Sequence, residues 1–310
     1  MEEIIFLKPE FKEMIWGGNR LRTDFNYPIS GEHTGECWAI SAHKNGDCEI
    51  LTGRYAGMRL SELWTYHREV FGNVAGDVFP LLIKIIDAKE DLSIQVHPDD
   101  LYANLHEDGA LGKTECWYVL DCKEDAQIVI GHNAKSKEEL KNWIDNNEWE
   151  ELIRYIPIKK GDFFQIAPGT VHAIKAGTLI FETQQNSDIT YRLYDYNRLQ
   201  NGKPRELHLE KSIDVIMCPH HDIINTNQTI HFENATTEKL IQCEYYTVHK
   251  VHIHGSHKFS KEEPFLLLSV IEGEGNVDLL PIKKGDHFII PASYEEYTLS
   301  GDMMLITSHV

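Results

Sequence analysis

Four residues of the 310-residue chain have the types and spacing to hold one divalent ion: Gln95, His97, Glu115 and His172. In Leu92-Ser93-Ile94-Gln95-Val96-His97-Pro98 polar and apolar residues alternate. A strand there sends Ser93, Gln95 and His97 to one face and Leu92, Ile94 and Val96 to the other. In Gly112-Lys113-Thr114-Glu115-Cys116-Trp117 the same parity sets Lys113 beside Glu115. In Pro168-Gly169-Thr170-Val171-His172 a Pro-Gly turn aims His172 back across the sheet. Two imidazoles, one carboxylate and one amide oxygen suit Zn²⁺, and also Fe²⁺, Mn²⁺ or Co²⁺. No cysteine takes part, which describes an open catalytic site rather than a closed structural one. Taken singly, each histidine is more simply a hydrogen-bonded core residue. The joint pattern is what points to a metal.

Short strands between Gly, Asn, Asp and Pro turns must position these groups. Residues 48–51, 80–87, 126–130, 162–166, 178–182, 265–270, 287–290 and 303–307 read as strands, the pattern of an all-β sandwich or barrel. Three stretches read as helix: 59–71, 99–107 and 136–153, the last opening on the cap-like Ser136-Lys137-Glu138-Glu139. Pro157-Ile158-Lys159-Lys160-Gly161-Asp162 recurs as Pro281-Ile282-Lys283-Lys284-Gly285-Asp286. An apolar strand and a proline turn follow each copy. The repeat indicates two related β domains joined within 218–240, a stretch that includes the polar run 225–229. The first copy runs on to His172, whereas the second continues Pro291-Ala292-Ser293-Tyr294-Glu295 with no histidine. A metal therefore belongs to the first domain only.

Composition removes other classes. Lys plus Arg number 30 against 49 Asp plus Glu, a net charge of −19, which repels nucleic acid and anionic membranes. No apolar run approaches the roughly 20 residues that span a bilayer. Acidic residues stand at the start, where a secretory signal needs basic ones. The six cysteines include no CxxC pair and read as free thiols of a cytoplasmic protein. His249, His252, His254 and His257 form a histidine-rich stretch in which His252 and His254 alternate with Val251 and Ile253 as one exposed strand face does, and Gly273-Glu274-Gly275 reads as a β-turn. No nucleophile elbow, Walker-type loop or dinucleotide fingerprint occurs.

Several ordered segments carry a family resemblance. Residues 161–172 are similar to the second cupin motif. Gln95-Val96-His97 followed by Glu115 resembles the first, in the form used by type I mannose-6-phosphate isomerases. Trp16-Gly17-Gly18, the segment Gly35-Glu36-Cys37-Trp38-Ala39-Ile40-Ser41, Phe79-Pro80-Leu81-Leu82-Ile83-Lys84 and the run from Glu182 to Arg192 resemble further signatures of that family. Larger members insert a sizeable helical domain before the last metal histidine. The short interval here resembles the short bacterial form.

The resemblance implies an all-β protein of two cupin-like β-sandwich or jelly-roll domains. Residues 1–224 would be the metal-binding catalytic domain, with a helical insertion near 134–155. Residues 225–310 would be a smaller, degenerate cupin-like domain. It implies interconversion of D-mannose 6-phosphate and D-fructose 6-phosphate, with one zinc ion per chain on Gln95, His97, Glu115 and His172. The proton moves between C1 and C2 through an enediol. Arg192 would stabilise the enediolate, Glu182 is a candidate base, and Lys113 joins them as catalytic. Lys84, Ser93 and Lys113 are the phosphate candidates, and Trp16 and Asp188 complete the substrate site. The partner is a small hexose phosphate, with no nucleic acid or membrane, bound by a monomer or homodimer. Glucose 6-phosphate as substrate, an iron-dependent cupin dioxygenase and a non-catalytic sugar-phosphate-binding cupin are the other readings.

Overall fold

The computed structural model describes residues 3–224 and 227–310. Asn225 and Thr226, at the expected joint, lie outside the described residues, as do Met1 and Glu2. Two antiparallel sheets form the N-terminal sandwich. One has six strands: Phe163–Ile166, Glu115–Cys122, Thr178–Gln185, Leu81–Ala88, Thr34–Ile40 and Glu10–Gly18. The other has five: Ile153–Pro157, Gln127–His132, His172–Ala173, Ile94–Val96 and Tyr191–Tyr194.

Side-chain alternation assigns the faces of the six-stranded sheet. Ile86, Trp117, Val119 and Ile180 point inward, against Ile128, Ile130 and Ile174 from the opposite side. Leu81, Ile83, Ile85, Cys116, Tyr118 and Phe181 point outward, and they too are buried. They pack against Val248, Leu267, Ile289 and Ile306 of a third, nine-stranded sheet. That sheet contains the long strands Thr247–Ser260, Leu266–Val277 and Glu296–His309. Its alternate residues, among them Leu266, Leu268, Phe288, Ile290 and Leu305, form a separate core of their own. The six-stranded sheet is thus covered on both faces, as its run of eight buried residues in Leu81–Ala88 requires.

The first strand, Ile5–Lys8, joins the third sheet by pairing with His287–Ile290, Ile5 opposite Ile289. The two copies of the repeat make the same turn. Gly161 and Gly285 both sit at φ +92°. Asp162 Oδ2 accepts the Lys159 N–H at 2.9 Å, and Asp286 Oδ2 accepts the Lys283 N–H at 2.8 Å.

Helices occur where expected, with altered ends. The 59–71 stretch is Leu60–Tyr66 followed by a 3₁₀ turn, Arg68–Phe71. Asp100–His106 is capped by Asp99, whose carboxylate accepts the Tyr102 N–H. The 136–153 stretch is two helices rather than one, Lys137–Asp145 and Trp149–Leu152, because Asn147 turns left-handed at φ +58°. Its last residue, Ile153, already belongs to a strand. Leu140, Ile144 and Leu152 pack on the outer face of the five-stranded sheet with Ile94, Val96 and Ala173. Leu209–Val215 is a further helix that no cap signal announced. All six cysteines are unpaired. Among the described residues, no helix is long and apolar enough to cross a membrane.

Candidate active site

One end of the N-terminal sandwich is polar inside. Gln95 and His172 are paired in register on neighbouring strands, and His97 follows directly where the Ile94–Val96 strand stops before Pro98. Glu115 faces them from the opposite sheet. His172 Nε2 lies 3.1 Å from His97 Nε2 and 3.3 Å from Glu115 Oε1. His97 Nε2 lies 3.4 Å from Glu115 Oε2. The three donor atoms fall within 4.8 Å of one another, and all three residues are buried. The Gln95 amide stands 3.3 Å from His172 Nε2. A half-turn of that amide exchanges its nitrogen for its oxygen.

The donor set fits a divalent cation. His172 Nδ1 meets the Thr170 carbonyl at 2.8 Å. Donation there puts the proton on Nδ1 and leaves Nε2 free to ligate. Both Glu115 oxygens are buried with no aligned hydrogen-bond donor. Burial pushes the His97 imidazole down to about 3, and the Lys113 ammonium adds to this. Burial likewise lowers His172. Burial alone would raise Glu115, but the Lys113 ammonium foremost holds it well below the usual carboxylate range. Neutral imidazoles around an ionised carboxylate are the protonation states a metal needs.

Two lysines sit on this floor. Lys113 precedes the Glu115–Cys122 strand instead of lying on it. Its Nζ still reaches Glu115 Oε2 at 3.0 Å and His97 Nε2 at 3.2 Å. Lys84 Nζ is 3.3 Å from Glu182 Oε1, and both residues are buried. Trp117 Nε1 donates to Glu182 Oε2 at 2.8 Å. Burial, then the Glu115 charge, raises Glu182 despite Lys84 and Lys113.

The floor opens into a cavity of ≈370 Å³, within the size range of small-ligand sites. Trp16, Lys84, Ser93, Gln95, Lys113 and Glu182 line it, as do Asp188 and Arg192. His97, Glu115 and His172 lie beneath its surface. Trp16 forms an apolar wall near Ile86 and Ile174. Asp188 stands at the outer side, where its Oδ2 accepts from Asn45 Nδ2 at 2.5 Å. Arg192 Nη1 donates to the Glu206 carbonyl, and its Nε is buried without a partner.

Sequence reasoning gave no role to Glu36, Trp38, Arg205 and His208, which share the cavity. The signal for the first two was present. Glu36 and Trp38 are two apart on one strand, and Trp38 Nε1 donates to Glu36 Oε2 at 2.7 Å. Arg205 and His208 follow a short hairpin, Leu199–Gln200 with Lys203–Pro204, and carry no periodic signal.

Buried imidazoles and a carboxylate converging in the mouth of an antiparallel sandwich define a cupin protein with a site that could hold a metal ion. The chain belongs to the type I phosphomannose isomerase family. Residues 4–152 match the catalytic domain of phosphomannose isomerase type I, and residues 236–310 match the cupin domain of mannose-6-phosphate isomerase. The chain is 53% identical to the mannose-6-phosphate isomerase ManA of Bacillus subtilis over 99% of both chains. It is 47% identical to the mannose-6-phosphate isomerase of Streptococcus mutans, covering 100% of this chain and 99% of that one. The crystal structure of a mannose 6-phosphate isomerase from Bacillus subtilis matches the whole length of both chains, with a TM-score of 0.98 at 52% identity.

Proposed function

We propose that the chain interconverts D-mannose 6-phosphate and D-fructose 6-phosphate by moving a proton between C1 and C2. The observation that carries this reading is that Glu182, Arg192 and the Gln95 amide all face one cavity, directly above the His97, Glu115 and His172 cluster. Gln95, His97, Glu115 and His172 would hold one divalent ion, for which we choose zinc. When bound, such an ion polarises and orients the sugar oxygens.

The chain's own groups supply the rest. Glu182 is our choice of base. Its Oε2 is fixed by the Trp117 N–H, and its Oε1, 3.3 Å from Lys84 Nζ, would take the proton from carbon. Its raised affinity for protons brings it closer to the operating pH, which favours general-base catalysis. Arg192 keeps a permanent positive charge beside the oxygen on which negative charge develops. Lys113 neutralises Glu115 and sits beside the reacting end with Lys84 and Ser93. Trp16 shields that end from water. A cytoplasmic location, with a monomer or homodimer as the working form, belongs to the same reading.

The test is a coupled assay of fructose 6-phosphate formation from mannose 6-phosphate, before and after chelation and metal replacement. Turnover that is lost on chelation and regained with zinc supports the reading. Folded, metal-loaded protein that turns over neither hexose phosphate overturns it. Oxygen uptake with iron would then favour a dioxygenase.

A further inference from the structure

The lysines that sequence reasoning assigned to the phosphate are committed elsewhere. Lys84 is paired with Glu182, and Lys113 with Glu115. Both lie on a floor that carries two buried carboxylates, an unfavourable surface for a phosphate dianion. A different part of the cavity wall has the opposite balance. Arg192 and Arg205 line it, and with Arg198 behind them they gather around the buried carboxylate of Asp195, with the exposed Glu206 carboxylate at the edge. Three guanidinium groups against these two carboxylates leave an excess of one positive charge, in a chain whose net charge is −19.

Two donors of this cluster face the cavity. Arg205 is clamped by Asp195 through Nε at 2.7 Å and Nη2 at 2.5 Å. Its Nη1 makes no hydrogen bond to the described residues, and the side chain lines the cavity. His208 Nδ1 accepts the Arg192 backbone N–H at 3.2 Å. Acceptance at Nδ1 places the ring proton of the neutral imidazole on Nε2, making that atom a donor. Its nearest carboxylate, on the exposed Glu206, is 4.0 Å away.

We propose that Arg205 and His208 hold the phosphate of the substrate, with Asp195 as the positioning residue that orients the Arg205 fork. A guanidinium fixed on one edge and open on the other is suited to phosphate oxygens. This inference rests on the proposed hexose-phosphate reading, because it assigns the other end of the same ligand.

The experiment pairs turnover with binding. Calorimetry measures mannitol 6-phosphate, which cannot isomerise, on metal-loaded wild type, Arg205→Gln, Arg205→Lys, His208→Gln and Asp195→Asn. Steady-state assays on the same proteins use mannose 6-phosphate. We expect Arg205→Gln to weaken binding at least tenfold, with most of its loss in kcat/KM residing in KM. His208→Gln, Arg205→Lys and Asp195→Asn should lose about three- to tenfold in the same sense. If Arg205→Gln does not fold, Arg205→Lys and His208→Gln carry the test. Folded variants within twofold of wild type in affinity and KM overturn the assignment while leaving the isomerase reading intact. Wild type that binds mannitol 6-phosphate but does not turn over, with binding weakened in the variants, supports the assignment and sinks the isomerase.

Discussion

Lys84 and Glu182 stand directly opposite each other on neighbouring antiparallel strands, and their side chains meet at 3.3 Å inside the sandwich. Removing one member strands the other charge in the interior, at a cost of about 3–5 kcal/mol. Lys84→Met should therefore unfold at markedly lower urea than wild type. The double variant Lys84→Met/Glu182→Gln should recover much of that loss without recovering turnover. Glu182→Gln alone should lower kcat by about 10²–10⁴. A Glu182→Gln enzyme with near-normal kcat would remove this residue from the chemistry.

The metal floor gives a second expectation. Lys113 is the ammonium nearest Glu115 when no ion is bound. Lys113→Met should lower the melting temperature of chelator-treated protein more than that of zinc-loaded protein. Zinc itself should raise the wild-type melting temperature, by about 4 kcal/mol of stability at a thousandfold excess over Kd. Equal shifts in the two states would show that Lys113 has no electrostatic part in the site.

Arg192 has one N–H on the Glu206 carbonyl and a buried Nε with no partner. Arg192→Lys keeps the charge and loses the planar fork. We expect kcat to fall about 10²-fold, comparable to losing an oxyanion donor, while circular dichroism and melting stay close to wild type. A purely structural Arg192 would give the reverse, with normal kcat and a lowered melting point.

His287 is buried between Tyr27 Oη at 2.7 Å and Ser269 Oγ at 2.8 Å. Burial pushes its imidazole down to about 3, below the ordinary value of roughly 6.5 that it regains on unfolding. Between those values the unfolded chain binds the extra proton. The contribution is therefore complete above about pH 6.5 and is lost as pH falls, at about 1.4 kcal/mol per pH unit. The stability gap between wild type and His287→Gln should narrow by about 2 kcal/mol from pH 6.5 to 5. A gap independent of pH over that range would rule out a neutral buried imidazole.

The repeated turn separates strain from crowding. Gly161 and Gly285 share φ +92°, which costs a side chain about 1–2 kcal/mol. A methyl at Gly161 meets only the Tyr118 hydroxyl at 3.9 Å, whereas at Gly285 it meets the Tyr27 ring at 3.1 Å. Chemical denaturation should find Gly285→Ala more destabilised than Gly161→Ala. The opposite order would mean that backbone strain differs between the two copies.

Much of the catalytic half was legible because sheet parity is local. Glu115 and Trp117, Lys84 and Ile86, and Glu182 and Ile180 all turn inward in the sense their spacing implies. The Lys-Lys-Gly-Asp repeat likewise marked a real recurring turn. Contacts between distant segments left no such trace. Nothing periodic announces that the outward face of Leu81–Ala88 meets a third sheet. The break at Asn147 was hidden by the helical spacing of Leu140, Ile144 and Leu152. Arg205 and His208 escaped notice because a hairpin brings them to the cavity, and a hairpin has no face to read.

The pairing of Ile5 with Ile289 has a consequence for how the chain is made. The first strand leaves the ribosome long before one of its two neighbours in the sheet, His287–Ile290, exists. At about 5–20 residues per second the wait lasts tens of seconds. During that interval Ile5 and Phe6 have an open strand edge on the His287–Ile290 side, while Leu7 can already pair with Ile50. The N-terminal sandwich, whose pairings are complete by Tyr194, can close during synthesis. The third sheet can be sealed only after most of the chain has been translated, so a nascent chain stalled before residue 287 would be the form most exposed to holdase chaperones.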